Sequence, residues 1–281
     1  MAAVKELERT GMVVRPTAVQ RLEGDLTLAQ LKGLCRSRNL KLSGKKPELV
    51  ARLAETDLSE IDQLAPLGDK YICSKAGREL AEAYKQRMKS EKLDTQLRSA
   101  DLLDARDIKG AVKLVCEYEA RQVFQRGMGV NWTSGTEGLP VVKSIYSAQK
   151  AFLHAVSPGD LANIRLVAAL DFLWGEEVTF IPDRDRPVRG CRYSLGIAAR
   201  QLQFHHNHGP GSKNIEKIPD YFEAEYLAPH EGECPACQAR NGKKFPLNQL
   251  PELPSEDCTC ELGCRCTFGY VADDEKFEEL L

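Results

Sequence analysis

The sequence predicts a mainly α-helical protein made of a small helical hairpin, a helical middle domain and a small irregular segment rich in cysteine. Apolar residues recur at helical spacing in residues 26–54 and through much of residues 73–215. Six of the ten cysteines lie between residues 234 and 266, where large apolar residues are sparse. A length of 281 residues also exceeds the usual size of one domain, so about two domains are expected.

The composition excludes several classes of protein. With 42% hydrophobic and 28% charged residues, the chain is too apolar to be wholly disordered and too charged for a membrane protein. No run approaches the roughly 18 apolar residues of a transmembrane helix, so we expect no membrane partner. The N-terminus carries charge from Lys5 onward and has no apolar signal-peptide run, so we do not expect the protein to be secreted.

Charge is segregated along the chain, although the net charge is only −2. Residues 26–56 contain seven basic and two acidic residues, whereas residues 219–281 contain five basic and fourteen acidic residues. A compact basic segment is typical of a surface that binds an anionic polymer. We therefore expect the hairpin to meet an anionic partner, and residues 271–281 to form an acidic tail.

After an N-terminal segment at residues 1–25, the first predicted domain is a helical hairpin at residues 26–56. Thr27 is the expected N-cap of its first helix, and Pro47 suits the start of its second helix. Residues 40–46 form a short basic turn between the two. The apolar residues with helical spacing are Leu28, Leu31, Leu34, Cys35, Leu49, Val50 and Leu53.

The pattern Leu-Thr-x-x-x-Leu-Lys at residues 26–32, followed by Leu-Ser-Gly-x-Lys-x-Glu-Leu-x-x-Arg-Leu at residues 42–53, resembles the SAP motif of DNA-binding and chromatin-associated proteins. The resemblance implies binding of double-stranded DNA through the turn and the start of the second helix, where the helix dipole favours phosphate. The residues assigned to this contact are Arg36, Arg38, Lys41, Ser43, Gly44, Lys45, Lys46 and Arg52. Docking of a protein partner is the alternative role for such a module.

The middle of the chain is less informative about function. Residues 57–72 are predicted to be a linker and residues 73–215 a mainly helical body. Helical breaks are expected near Asp94 and Gly110, and a short strand is expected at residues 176–182.

His205, His206 and His208 form a cluster that invites comparison with the metal-dependent HNH nucleases. In those enzymes the active-site residues are spread over a hairpin and a helix, so we interpret this cluster as a solvated loop that ends at residues 209–211. An HNH-like nuclease is kept as an alternative. No Ser/His/Asp arrangement, paired-carboxylate motif or HExxH motif is visible, so we expect no enzymatic activity and assign no catalytic residue.

Residues 216–270 carry the strongest chemical signal, a CxxC pair followed twenty residues later by four more cysteines. Its members are Cys234, Cys237, Cys258, Cys260, Cys264 and Cys266. In a chain without a signal peptide, such a cluster favours a metal site over disulfides. Two close pairs of thiolates complete a tetrahedron around Zn²⁺ at about 2.3 Å. Six cysteines are two too many for one zinc and too few for two separate sites, so His230 as a ligand, metal-free packing and a disulfide at the surplus pair stay open.

The surroundings of these cysteines resemble the C-terminal motif of phage Mu F-like minor head, or head-morphogenesis, proteins. That motif combines CPxC and GKxFPL elements, a proline-rich link and a terminal His-Pro-x-Cys-Arg-Cys, and the resemblance covers about 40 residues. By this resemblance Cys234, Cys237, Cys264 and Cys266 fill the motif's cysteine positions. Because residues 228–270 offer too few large apolar residues to hold a fold alone, we expect about one zinc per chain, held by these four cysteines. No histidine precedes Cys264 here and a Cys-Thr-Cys is inserted upstream, so Cys258, Cys260 and His230 remain alternate ligands.

These observations predict a non-enzymatic DNA-binding protein of the phage or prophage minor-head or portal-region type, with a SAP module and a zinc-stabilised C-terminus. Its expected partners are double-stranded DNA and other virion or assembly proteins, with a homo-oligomer or ring left open. The expected location is the virion and the host cytoplasm. The alternative is a cellular SAP- and zinc-containing protein of repair or regulation, in the cytoplasm, nucleoid or nucleus.

Overall fold

The computed structural model describes residues 2–56, 70–208, 222–229 and 234–272. Helices predominate among these residues and the strands are short, which confirms the predicted mainly α class. The chain divides into two units, Met1–Ser90 and Glu91–Leu281. Within the described ranges, no helix combines the length and the apolar character that crossing a membrane requires.

In the residues that the structure describes, the first unit contains four short helices, a two-stranded antiparallel sheet and the beginning of a long helix. In chain order its elements are α1 (Ala2–Arg9), β1 (Val13–Val14), α2 (Ala18–Asp25), α3 (Leu28–Ser37), α4 (Lys46–Ala54), β2 (Ile72–Cys73) and the first half of α5 (Lys75–Asp104). Thr17 and Thr27 begin α2 and α3, respectively, with capping boxes. Each threonine side chain accepts the N–H of the glutamine three residues later, and that glutamine accepts the threonine N–H in return.

Helices α2, α3 and α4 enclose a small apolar core. Its buried members are Leu22, Leu26, Leu31, Cys35, Leu49, Val50 and Leu53. The predicted N-cap at Thr27 and the predicted buried faces of the two helices are thus confirmed, except that Leu28 is 42% exposed. Leu22 precedes residue 26, where the sequence places the domain boundary. The predicted boundaries stay a prediction, and residues 57–69 of the predicted linker lie outside the described residues.

The second unit is built around one buried helix. Its helical elements are the end of α5, α6 (Ile108–Ala120), α7 (Leu139–Ser147), α8 (Pro158–Trp174) and α9 (Leu195–His208), with 3₁₀ turns at Trp132–Ser134 and Ala151–Leu153. Helix α8 is buried on most sides because it packs against α6, α7 and α9. Ser157 caps its first turn by accepting the N–H of Asp160.

Two local predictions for the body are wrong. Helix α5 continues through Asp94, and the chain turns instead at residues 105–107, where Asp107 accepts the N–H of Gly110 at 2.9 Å and begins α6. Residues 176–182 form turns rather than a strand, because the segment folds back onto α8. The Asp171 carboxylate of α8 accepts the Val178 N–H at 3.2 Å and pairs with Arg184 at 2.7 Å.

The C-terminal part of the second unit is a small three-stranded antiparallel sheet with the cysteines at one end. Its elements are β3 (Phe222–Leu227), α10 (Pro235–Gln238), β4 (Lys244–Pro246), a 3₁₀ turn at Leu247–Gln249 and β5 (Thr267–Ala272), in the sheet order β4-β3-β5. Tyr226 lies opposite Phe268, and their rings meet edge to face with centroids 5.7 Å apart. Most of the sequence between the strands is irregular, as predicted.

Candidate functional site

The turn between α3 and α4 has a backbone that requires particular residues. Helix α3 ends where Asn39 adopts a left-handed conformation, with φ of 55°, and the Leu40 N–H returns to the Cys35 carbonyl at 2.8 Å. Gly44 has φ of 128°, and a Cβ at this position would collide with the Glu48 side chain. The glycine of the Leu-Ser-Gly pattern is therefore required by the backbone itself.

The Arg52 side chain stabilises this turn by hydrogen bonds to its backbone. One of its guanidinium nitrogens donates to the carbonyls of Lys41 at 2.8 Å and Ser43 at 2.7 Å, and the other lies 3.7 Å from the Glu48 carboxylate. The sequence assigns Arg52 to the DNA contact. In the structure, however, its guanidinium group donates hydrogen bonds to backbone carbonyl oxygens of the turn. Its position indicates that it organises the turn.

The other residues assigned to the DNA contact line the same end of the hairpin. Arg36, Lys41, Ser43, Gly44 and Lys45 are exposed, whereas Arg38 and Lys46 are half-buried. This brings basic side chains from the end of α3, the turn and the start of α4 into one short segment.

The first turn of α4 offers a site for an anion. Lys45 occupies the N-cap, Pro47 lies within the first turn, and within the described residues no side chain caps this end of the helix. The N-terminal end of a helix carries partial positive charge, and two adjacent lysines add to it. The arrangement can bind a phosphate group, and the nearby Glu48 carboxylate lies 3.7 Å from the Arg52 guanidinium.

The six C-terminal cysteines are all buried together. Among the described residues, the sulfurs of one group lie within 4.8 Å of one another, and those of a second group do likewise. The first group is Cys234, Cys237, Cys258 and Cys260; the second is Cys237, Cys264 and Cys266. The four ligands implied by the phage resemblance are thus divided between two groups that share Cys237. The pair expected to be surplus belongs to the four-sulfur group.

Backbone and side-chain donors point at these sulfurs. The Thr259 N–H donates to the Cys234 sulfur at 3.2 Å, and the Cys234 N–H donates to the Cys260 sulfur at 3.3 Å. Burial is the largest single influence on the pKa of Cys234 and raises it, but the hydrogen bonds from Thr259 and Cys237 together outweigh burial, so this thiol's pKa lies below its ordinary value. The Tyr226 hydroxyl donates to the Cys237 sulfur at 3.7 Å. Such donors favour thiolate, which is the form that binds metal.

Neighbouring thiols shift one another's pKa, lowering it for one cysteine and raising it for another. A hydrogen bond from Cys258 is the largest cause of the lowered pKa of Cys237. Interactions with Cys237, Cys258 and Cys266, in that order, together with burial, raise the pKa of Cys264. Six thiols at this density cannot all ionise without a cation among them, because like charges this close repel strongly.

The helical body holds the cysteine loops in place. Arg192 donates to the carbonyls of Ser255 and Cys258, and Gln201 on α9 accepts the Cys264 N–H at 3.0 Å. Gly263, with φ of 93°, lies so close to Gln201 that a Cβ would contact its amide nitrogen. No local signal in the sequence identified Arg192 or Gln201, because each acts on residues more than 60 positions away, and none identified Tyr226, whose hydroxyl reaches a cysteine 11 positions away.

These residues fit a thiophilic tetrahedral ion. The donor set is sulfur alone, every sulfur is buried, and the Cys237 and Cys264 sulfurs lie 4.0 Å apart. Sulfurs bound to one tetrahedral Zn²⁺ at about 2.3 Å are separated by just under about 4 Å. The cluster can therefore hold a metal ion with little movement, and no feature of it selects zinc over another thiophilic ion.

The backbone of the histidine cluster at residues 205–208 belongs to helix α9. His230 lies outside the described residues. The prediction of a loop at residues 205–208 is wrong for the backbone, since α9 extends to His208.

Residues 24–58 match the SAP domain family, and this range contains α3, the turn and α4. No curated protein and no solved structure matches the chain. The similarity to phage Mu F-like proteins thus stays a resemblance of the C-terminal motif, and the SAP match indicates nucleic-acid binding.

Proposed function

We propose that the chain binds double-stranded DNA through residues 24–58, its SAP module. The observation that carries the proposal is the coincidence of the family match with an exposed basic turn that leads into the start of α4. Lys45 and Lys46 meet phosphate oxygens beside the first turn of α4, while Arg52 holds the turn in shape. Such contacts neutralise phosphates without reading bases.

The experiment is a salt titration of duplex binding by the full chain, measured by fluorescence anisotropy. Each lost phosphate contact lowers the slope of log affinity against log salt by about 0.9. We therefore expect the double variant Lys45→Glu, Lys46→Glu to bind DNA more weakly. The magnitude of its salt slope should be smaller by up to about 2.

The matched control is Lys85→Glu with Lys89→Glu, which makes the same charge change at two exposed positions of α5. It should bind DNA nearly as the wild type does. If the module variant binds as the wild type does across the titration, the DNA contact is refuted and docking of a protein becomes the better account.

We also propose that a zinc ion, or an equivalent thiophilic ion, stabilises the C-terminal segment. The buried six-sulfur cluster and its N–H donors support this. Thiolate coordination contributes on the order of 10 kcal/mol to folding. Chelation should therefore accelerate hydrogen exchange in β3 and β5, with α6 and α8 unchanged as the internal control. Unchanged exchange in the strands after complete metal removal would refute a stabilising role.

For the biological setting, we propose a structural role in a phage or prophage head or portal region, with other virion proteins or further copies of the chain as partners. The support is the Cys-Pro-x-Cys and Gly-Lys-x-Phe-Pro-Leu motif, whose Lys244–Pro246 part forms β4 beside the cysteine cluster. Detection of the chain in purified virions, encoded beside portal and terminase genes, is the expected result. Placement among cellular repair genes would favour the cellular alternative.

We propose further that the chain acts by binding and not by catalysis. The competing nuclease hypothesis predicts cleavage of plasmid DNA with Mg²⁺ or Mn²⁺ that is lost on changing His206 or His208. We expect intact plasmid under these conditions, and cleavage that depends on either histidine would overturn the proposal.

A further inference from the structure

The two groups of close sulfurs in the cysteine cluster are not equivalent as metal sites. One group contains four sulfurs, all within 4.8 Å of one another, which is a full set of ligands for one tetrahedral ion. The other group contains three sulfurs, and one of these, that of Cys237, already belongs to the first group. Among the described residues, the first group alone can therefore fill a tetrahedron from its own members.

The four cysteines selected by the phage resemblance do not form such a set. Cys234 is absent from the group of mutually close sulfurs that contains Cys264 and Cys266. Sulfurs bound to one tetrahedral ion at about 2.3 Å must all lie just under about 4 Å apart. Binding of the motif's four cysteines by one ion would therefore require the chain to move, whereas the four-sulfur group is already assembled.

We propose that one thiophilic divalent ion of the Zn²⁺ class binds to the four-sulfur group, which consists of Cys234, Cys237, Cys258 and Cys260. The remaining two sulfurs, those of Cys264 and Cys266, stay protonated and pack beside this site. The inserted Cys-Thr-Cys, which departs from the phage motif, is then the part of the chain that completes the site. This inference rests on the proposed metal binding and specifies its ligands.

Charge and burial favour a site of four thiolates beside two thiols. Four thiolates around one divalent ion carry a net charge of −2, whereas six thiolates would carry −4 in a region where every sulfur is buried. Burial of uncompensated charge is costly, while a protonated cysteine behaves as a small apolar residue. Cys264 and Cys266 are both fully buried, and the Cys264 sulfur lies 4.0 Å from that of Cys237. These two thiols therefore pack as core residues against a ligand.

Backbone donors connect the two halves of the four-sulfur group. The N–H of Thr259, between Cys258 and Cys260, donates to the Cys234 sulfur at 3.2 Å. The N–H of Cys234 donates in return to the Cys260 sulfur at 3.3 Å. Each pair of ligands thus accepts a hydrogen bond from the backbone of the other pair. Such bonds offset the charge of a coordinated thiolate and fix its orientation.

One arginine joins the same two loops from outside. Arg240 donates to the carbonyl of Ala236, inside the Cys-x-x-Cys turn, at 2.9 Å. Its other terminal nitrogen donates to the carboxylate of Asp257, the neighbour of Cys258, at 2.8 Å. The scaffold therefore holds the Cys-x-x-Cys turn and the Cys-Thr-Cys segment together, as a site built from these two pairs requires.

The ligands are identified in the reduced wild-type full chain, so the result does not depend on whether a variant folds. The chain is loaded with equimolar ¹¹³Cd²⁺, and scalar couplings between cadmium and cysteine β protons are recorded by NMR. We expect one cadmium resonance, coupled to the β protons of the four-sulfur group. Coupling to Cys264 or Cys266 would overturn the assignment and leave the proposed metal binding standing, whereas failure to bind the ion would overturn both.

A matched pair of variants tests the same assignment, because the chain contains two Cys-x-Cys pairs. Cys258→Ser with Cys260→Ser removes two proposed ligands, and Cys264→Ser with Cys266→Ser makes the same chemical change outside the site. Native mass spectrometry counts the ions after reconstitution of the reduced chains with Zn²⁺. We expect one ion in the wild type and in the second variant, and none in the first. An ion retained by the first variant, or lost from the second while its circular dichroism is unchanged, would overturn the assignment.

Discussion

The side-chain oxygen of Gln201 accepts the backbone N–H of Cys264 at 3.0 Å, so that a residue of the helical body is bonded into the cysteine cluster. Gln201 is 3% exposed, and Cys264 is fully buried. The bond therefore satisfies a buried amide beside a candidate ligand and couples the order of that loop to helix α9.

Gln201→Ala should destabilise the cysteine segment and weaken its hold on metal. The change leaves the Cys264 N–H buried without its acceptor, at a cost of about 1–3 kcal/mol. Competition with a chromophoric chelator measures the effect as a lower metal affinity. Gln203→Ala, on the same helix and less buried, makes the same change in helix propensity and should leave the affinity unchanged. Equal effects of the two variants on metal affinity would show that the hydrogen bond between Gln201 and Cys264 does not contribute to metal binding.

Gly44→Ala should destabilise the SAP module by about 1–3 kcal/mol and weaken DNA binding, because its φ of 128° strains any side chain and the Cβ meets Glu48. The matched control is Gly33→Ala in α3, where a Cβ has open space and alanine favours the helix by up to about 1 kcal/mol. Hydrogen exchange of α3 and α4 should rise in the first variant and fall in the second. A Gly44 variant with wild-type protection would show that the turn relaxes without cost.

Arg52→Ala should lower the affinity for DNA while leaving the slope of the salt dependence nearly unchanged. Its guanidinium binds the carbonyls of Lys41 and Ser43, so its removal loosens the turn without removing a phosphate contact. A salt titration beside that of the double lysine variant separates the two roles. A slope reduced by about 0.9 would instead place Arg52 on the phosphate backbone.

The stability of the helical body should fall in alkaline solution through Tyr146. Burial raises the pKa of its hydroxyl to about 12, above the value near 10 of the unfolded chain. Its contribution is therefore fully present below pH 10 and is lost as the pH rises from about 10 to about 12. Tyr146→Phe also loses the hydrogen bond to the Leu103 carbonyl, so its free energy of unfolding should be lower than that of the wild type below pH 10. Across the interval from about pH 10 to about pH 12, however, its free energy of unfolding should fall less. Parallel denaturation curves at pH 9 and pH 11 measure the difference, and equal declines would contradict the prediction.

The sequence was sufficient where structure is local. The helices around Leu31 and Leu49 follow from apolar spacing and a threonine cap, and the required glycine of the turn belongs to a short motif. The C-terminal sheet could not be predicted in the same way, because β3 pairs with β5 across an interval that contains all six clustered cysteines. The division of those cysteines also depends on distant contacts, since Arg192 and Gln201 fix loops more than 60 residues away.

The antiparallel register of the C-terminal sheet has a mechanical consequence. Phe222 at the start of β3 lies opposite Ala272 at the end of β5, so the chain enters and leaves this part of the protein at adjacent points. A force that pulls these two points apart loads one pair of residues at a time, and the strands unzip from that end. Unzipping then proceeds toward Thr267, the neighbour of Cys266, beyond which metal–thiolate bonds would have to break before the chain could extend further. An occupied cluster would thus act as a mechanical stop, and the rupture force of this segment would depend on the metal.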